Sequence, residues 1–247
     1  MRADLYLVEH GHFETRARAQ AAIAAGKVTV DGIVVGKASQ KIPEGAQVVA
    51  EAAHPWVSRA ALKLVAGLDA FGIDPAGRAC LDVGASTGGF TEVLLARGAR
   101  HVDAVDVGRD QLHPRLQADA RVSSMEGVDA RSLAAGMLFE PPSLIVCDAS
   151  FISLLKVLPP ALALAADRAD LIALIKPQFE VGRAAIGKGG LVKSQDDRDR
   201  ALADVRKGLE GVAGFSVRAV MDSPIEGGDG NREYLMAATR DIQALQG

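Results

Sequence analysis

The sequence predicts an α/β protein: a doubly wound, mostly parallel sheet with an antiparallel last strand, preceded by a small α+β module. Three observations carry this. Strand-like apolar runs recur at 79–83, 101–107, 121–125, 144–147 and 171–175, and helical patterns separate most of them. Near the C-terminus "FSVRAVMDS" and "NREYLMAAT" have no helix between them, which marks an antiparallel pair. The first residues differ, with short helices and short β-branched runs. The expected boundaries are 1–52 for the module, 53–58 for a linker and 59–247 for the α/β domain.

In the module, Leu5, Leu7 and Val8 begin a short helical pattern that Gly11 ends. Thr15 caps a second helix over 16–25, with Ala19, Ala22 and Ile23 on one face and Gly26 as its stop. In "KVTVDGIVVGK" the Asp31-Gly32 pair between two β-branched runs signals a hairpin, and "AQVVA" adds a strand. The stretch "ETRARAQAAIAAGKVTVDGIVVGKASQKI" resembles the small RNA-binding module named after a ribosomal small-subunit protein. Its G-x-V-x-V-[ND]-G turn is matched by Gly26, Val28, Val30, Asp31 and Gly32. The resemblance makes Arg16, Arg18, Lys27, Lys37 and Lys41 candidate phosphate contacts, and Arg2 and Arg59 join them.

The linker "EAAHPWVSRA" holds Pro55, which disfavours helix at His54, and Trp56, the one tryptophan, read as packing. Ser58 is expected to cap a helix with Leu62, Leu64, Val65 and Leu68 as its buried stripe. The first strand then runs into "LDVGASTGGFTEVLL", a strand, a glycine turn and a helix start. The turn Gly84-Ala85-Ser86-Thr87-Gly88-Gly89, followed by Phe90, is a candidate nucleotide seat. The dinucleotide fingerprint G-x-G-x-x-G fails at Ser86, where the glycine that admits pyrophosphate should stand. Asp106, 22 residues beyond Gly84, suits ribose hydroxyls in either ligand class. Asp129, after the third strand, reads either as a solvated loop acid or as a group placed to meet an adenine ring.

Two strand ends carry the chemistry. Asp148 closes the fourth strand in "LIVCDASFISL", where a carboxylate opens into the ligand crevice. Lys176 closes the fifth in "LIALIKPQFE", an unusual place for a solvated lysine, and Pro177 stiffens the turn that aims it. Lys63 projects from the first helix of the domain, and Glu233 enters the last strand. The glycine-rich "VGRAAIGKGGLVKSQ" at 181–195 reads either as a flexible surface loop or, from its position, as a substrate flap that orders on RNA.

Lys63, Asp148, Lys176 and Glu233 together resemble the K-D-K-E tetrad of FtsJ-like ribose 2′-O-methyltransferases. "WVSRAALKL", "LDVGASTGGFT", "DASFISL", "KPQFEVGR" and "GNREYL", in family order over nearly the whole chain, resemble the TlyA-type ribosomal RNA methyltransferases. The resemblance implies a Rossmann-like methyltransferase sheet and S-adenosylmethionine as cofactor. It also implies ribosomal RNA within a ribosomal subunit as partner, cytidine as the modified nucleoside and a cytoplasmic location. No obligate protein partner is implied. Lys176 is the expected base, Asp148 and Glu233 orient the lysines, and Lys63 holds the hydroxyl or a phosphate. His54 stands where the family linker often has Arg, so coupling between domains is expected to differ. The chain starts almost directly at the module, and the family's shorter form goes with modification of large-subunit RNA.

Composition limits the alternatives. With 49% apolar and 24% charged residues, the chain has the balance of a soluble globular protein. Apolar runs such as 161–166 and 171–175 are broken by Asp or Lys well short of bilayer length, which counts against a membrane-active haemolysin, a label this family sometimes carries. The start has early acids and no apolar core with a cleavage site, so no secretory signal is expected. Cys80 and Cys147 lie in apolar runs and read as buried reduced thiols. The five histidines show no ligand spacing, so no metal is expected. Net charge is −3, with 8 Lys and Arg against 6 Asp and Glu up to residue 63. That balance permits RNA binding without demanding it. The remaining rival, a nicotinamide-dependent oxidoreductase, is weakened by Ser86 and by the RNA module.

Overall fold

The computed structural model describes residues 1–212 and 214–242. It divides into two compact units, Met1–Pro55 and Trp56–Gly247.

In the first unit, α1 (Ala3–Glu9) and α2 (Arg16–Ala24) pack on a three-stranded antiparallel sheet of β1 (Val28–Val30), β2 (Ile33–Val34) and β3 (Val48–Ala50), in the order β2-β1-β3. Thr15 caps α2, its hydroxyl accepting from Arg18 N at 3.3 Å. Asp31 and Gly32 both take positive φ (49° and 79°), which matches the right-handed twist of the strands they join and fixes Val30 opposite Ile33. α1 starts at Ala3, earlier than the apolar spacing implied, and Leu5 is exposed. The core is small: Leu7, Ala19, Ile23, Val28, Val35 and Ile42 are its main members.

The second unit holds a seven-stranded sheet. Its strands are β4 (Ala79–Val83), β5 (His101–Asp106), β6 (Val122–Glu126), β7 (Leu144–Cys147), β8 (Arg168–Ile175), β9 (Phe215–Asp222) and β10 (Tyr234–Asp241). The order is β6-β5-β4-β7-β8-β10-β9, with β10 antiparallel to both neighbours and the other pairings parallel. This is the mostly parallel sheet with an antiparallel last strand that the sequence predicts. β4 and β7 are buried along their whole length because helices cover both faces. Leu81, Val83, Ile145 and Cys147 feed one core, and Cys80, Val102, Leu144 and Val146 the other.

The helices are α3 (Ala61–Phe71), α4 (Gly89–Ala96), α5 (Pro114–Gln117), α6 (Leu154–Ala163), α7 (Pro177–Glu180) and α8 (Gln195–Glu210). α3 differs from expectation in two ways. Ser58 does not cap it directly: its hydroxyl accepts from Ala60 N at 3.2 Å, and Ala60 is the N-cap. Its buried residues are Ala61, Lys63, Leu64, Gly67 and Leu68, so Leu62 and Val65 lie towards its flank.

Candidate active site

The sheet order reverses at β4, between β5 and β7, and ligands of such sheets bind at the carboxyl ends beside that reversal. Gly84 leaves β4 with φ 83°, and a Cβ there would lie 3.0 Å from Ala149 Cα and N. Only glycine lets the two chain segments approach so closely. Ser86, in the place of the missing glycine, also adopts a left-handed φ of 47°. Its N–H donates to Asp106 Oδ2 at 2.7 Å, and Gly108 N donates to Asp106 Oδ1 at 2.7 Å. One carboxylate therefore ties the glycine turn to the loop after β5.

Beside this turn is a cavity of about 520 Å³, lined by Gly84, Ser86, Asp106, Val107, Asp129 and Asp148 among others. Its size, the 74%-exposed Val107 and the carboxylates of Asp106, Asp129 and Asp148 suit a nucleoside: an apolar wall for the base and acceptors for ribose hydroxyls. Asp129 caps its own turn by accepting from Arg131 N at 2.9 Å, and hydrogen bonds from the Arg131 guanidinium hold its carboxyl at about 2. Ala85, Thr87, Gly88 and Gly89 shape the turn and the start of α4, while Phe90 is buried in the core.

The four tetrad residues form two ion pairs. Lys176 Nζ lies 2.6 Å from Asp148 Oδ1 and also donates to Asp148 O (3.2 Å) and Ser150 Oγ (2.6 Å). Lys63 Nζ lies 2.5 Å from Glu233 Oε2. The fold explains both. Asp148 and Lys176 follow the adjacent parallel strands β7 and β8. Tyr234 is in register with Ile175, so one residue further out Glu233 stands opposite Lys176. α3 crosses here with Gly67 against Ile172 and Leu235. One turn earlier on the same helix face, Lys63 reaches Glu233, which precedes Leu235 by two. Lys63, Lys176 and Glu233 are all buried, and buried charges occur where they are paired.

Several contributors went unnoticed in the sequence. Asp82, inside β4, is fully buried; its Oδ2 accepts from Thr91 Oγ1 at 2.7 Å while its Oδ1 has no partner. Burial pushes its carboxyl up to about 7, the Thr91 hydrogen bond opposes the shift, and the Asp148 charge adds to it. An acid inside an apolar run was a visible signal. Ser150 and Asn231 were not foreseeable, because their partners are distant in sequence. Asn231 accepts from Val192 N (2.9 Å) and donates to Gly190 O (2.9 Å), fastening the glycine-rich 181–195 stretch to the turn before Glu233. Phe151, at the cavity, is 91% exposed with φ 65° and presents an open aromatic face.

The candidate RNA contacts divide. Arg2 and Arg16 both pair with Asp4, Arg18 lies 3.9 Å from Glu14, and Lys27 lies 3.5 Å from Glu51. Lys37 and Lys41 are exposed, and Lys41 bridges Arg2 through the backbone. Arg59, in the second unit, donates to Glu226 O at 2.8 Å. Among the described residues no three His, Cys, Asp or Glu side chains cluster as a metal site, and no helix is long and apolar enough to cross a membrane.

Comparison with known proteins fits this geometry. Residues 56–240 match the FtsJ-like methyltransferase family, and residues 1–48 match the S4 domain. The chain is 44% identical to the 16S/23S rRNA (cytidine-2′-O)-methyltransferase TlyA of Mycobacterium tuberculosis, over 95% of this chain and 88% of that one. It is 39% identical to the 23S rRNA (cytidine-2′-O)-methyltransferase TlyA of Campylobacter jejuni, over 72% of this chain and 69% of the relative. A solved structure of a hemolysin-named protein from Streptococcus thermophilus superposes with a TM-score of 0.77 at 37% identity, covering 98% of this chain and 89% of that one.

Proposed function

The chain belongs to the FtsJ-like methyltransferases, and within them to the TlyA-type ribosomal RNA methyltransferases, and from that premise we propose that it methylates the 2′-hydroxyl of a cytidine in large-subunit ribosomal RNA with S-adenosylmethionine. The observation that carries this reading is the pair of buried ion pairs, Lys176–Asp148 and Lys63–Glu233, beside a cavity of nucleoside size. The two relatives share cytidine and 23S RNA in their names, which supports the finer choice of nucleoside and subunit. An S4 domain in front supports RNA assembled in a ribosomal subunit as the substrate, and that substrate implies work in the cytoplasm.

The glycine turn, Asp106 and Asp129 would hold S-adenosylmethionine, which when bound would supply an electrophilic methyl group. The chain's own part is to prepare the ribose hydroxyl. A 2′-hydroxyl is a weak nucleophile until its proton is withdrawn, and Lys176 Nζ, having first released a proton of its own ammonium to solvent, receives that proton. Asp148 Oδ1, Asp148 O and Ser150 Oγ already surround Nζ, so the ammonium that forms meets partners that need not reorganise. A positioned base contributes ~10²–10⁴-fold. Glu233 holds Lys63, whose ammonium anchors the hydroxyl or an adjoining phosphate. Alignment of the acceptor oxygen with the methyl group contributes much of the rest.

Purified chain, S-adenosylmethionine carrying a labelled methyl, and ribosomal subunits test this. A ribose 2′-O-methyl blocks alkaline cleavage of the next phosphodiester, so label in an alkali-resistant dinucleotide beginning with cytidine supports the reading. Label on a base, or calorimetric binding of NAD in place of S-adenosylmethionine, overturns it.

A further inference from the structure

We propose that Asp4 is a positioning residue for RNA binding: its buried carboxylate sets the guanidinium groups of Arg2 and Arg16 as a preformed phosphate clamp. The proposal rests on the RNA-binding reading of the first unit. Asp4 has no solvent exposure, which is unusual for a carboxylate in so small a unit. Its Oδ1 accepts from Arg2 Nε at 3.0 Å. Its Oδ2 accepts from Arg2 Nη2 (3.1 Å), Arg16 Nη2 (2.9 Å) and Gln20 Nε2 (2.8 Å). These hydrogen bonds hold its carboxyl well below the usual carboxylate range, those from Arg2 most of all.

A carboxylate with this set of donors is a fixed hub. It joins the residue before α1 to two side chains of α2, which meet it on one face at i and i+4. Arg2 binds it in bidentate fashion through one edge, and Arg16 through one nitrogen. Each guanidinium keeps N–H groups not used on Asp4, and the two side chains stay 47% and 54% exposed. The backbone bridge from Arg2 to Lys41 places a third cation beside them. Free arginines lose side-chain entropy when they grip a phosphate, and these two have already lost it on folding. The ligand class that fits is the phosphodiester backbone of RNA.

Asp4→Asn gives opposite signs under the two explanations. By Coulomb's law alone, removing a negative charge beside two arginines tightens RNA binding and steepens its salt dependence. If Asp4 positions the clamp, the same change loosens it. The full chain and its Asp4→Asn variant are titrated with a large-subunit ribosomal RNA fragment at several salt concentrations. Expected are a Kd raised about fivefold or more and a log Kd against log salt slope lower by about one for each phosphate no longer gripped. Binding of S-adenosylmethionine, seated in the other unit, stays unchanged. Gln20→Ala, which removes only a neutral donor, shifts affinity the same way and by less. Unchanged or tighter RNA binding by Asp4→Asn overturns the proposal.

Should Asp4→Asn not fold, NMR of the wild-type chain decides. The Arg2 Nε–Hε signal is expected to be resolved and protected from exchange, and a signal averaged with solvated arginines overturns the clamp. Absence of RNA binding by the wild-type chain would instead sink the functional reading on which the proposal rests.

Discussion

Replacing Asp82 by Asn changes one atom in the middle of the sheet and gives a pH-dependent stability difference of predictable sign. The Asp82 carboxyl is fully buried, has one hydrogen bond from Thr91, and leaves Oδ1 without a partner. Burial raises it from 3.8 to about 7 in the folded protein, and the nearby Asp148 charge adds to the rise. Between those values the unfolded chain releases the proton while the folded chain keeps it. Stability contributed by the neutral acid is therefore greatest below about pH 4, falls as pH rises, and levels off above about 7. The interval corresponds to ~4 kcal/mol. Asn keeps the acceptor for Thr91 and has no proton to lose. Urea unfolding of wild type and Asp82→Asn at intervals from pH 4.5 to 8, followed by the Trp56 signal, measures the difference. The variant should gain on wild type by about 1.4 kcal/mol for each pH unit, reaching a plateau near neutrality. Parallel pH profiles would refute the reasoning, because they would mean that Asp82 is ionised in both states or in neither.

Three further outcomes are expected. Gly84→Ala places a Cβ 3.0 Å from the Ala149 backbone at a positive φ, at a cost of ~2 kcal/mol, and calorimetry should show S-adenosylmethionine binding weakened about tenfold or more. Glu233→Gln leaves the Lys63 ammonium buried without an anion, which should lower stability by ~3 kcal/mol and methyl transfer by more than a mere loss of folded protein explains, measured on the folded fraction. The Cys80 and Cys147 thiols, both pushed up to about 12 by burial, should not react with a disulfide reagent at pH 8 until urea unfolds the chain.

Much of this architecture was readable because the central parallel strands β4, β7 and most of β8 are buried on both faces and so appear as largely apolar runs, whereas the edge strand β6 is only partly buried. The ends of those runs marked Asp148 and Lys176. What one dimension hid was pairing. Lys63 and Glu233 are 170 residues apart, and their contact depends on α3 crossing β10 at Gly67. The stripe expected on α3 held at Leu64 and Leu68 but not at Leu62 and Val65, because a buried, paired lysine occupies a core position that apolar spacing assigns to its neighbours. Ser86 counted against a dinucleotide by its identity, and the structure adds that its left-handed backbone is stabilised by Asp106. Asp4 was overlooked beside its arginines, since a lone acid at a chain start reads as solvated until its burial is seen.

The central claim is that Lys176 takes the ribose proton. Wild type and Lys176→Ala, matched for binding of S-adenosylmethionine and of ribosomal RNA, should be compared in single-turnover methylation with ribose 2′-O-methyl as the readout. The account predicts a rate lower by ~10²-fold or more for the variant, with both affinities retained. Full-rate ribose methylation by Lys176→Ala would contradict it.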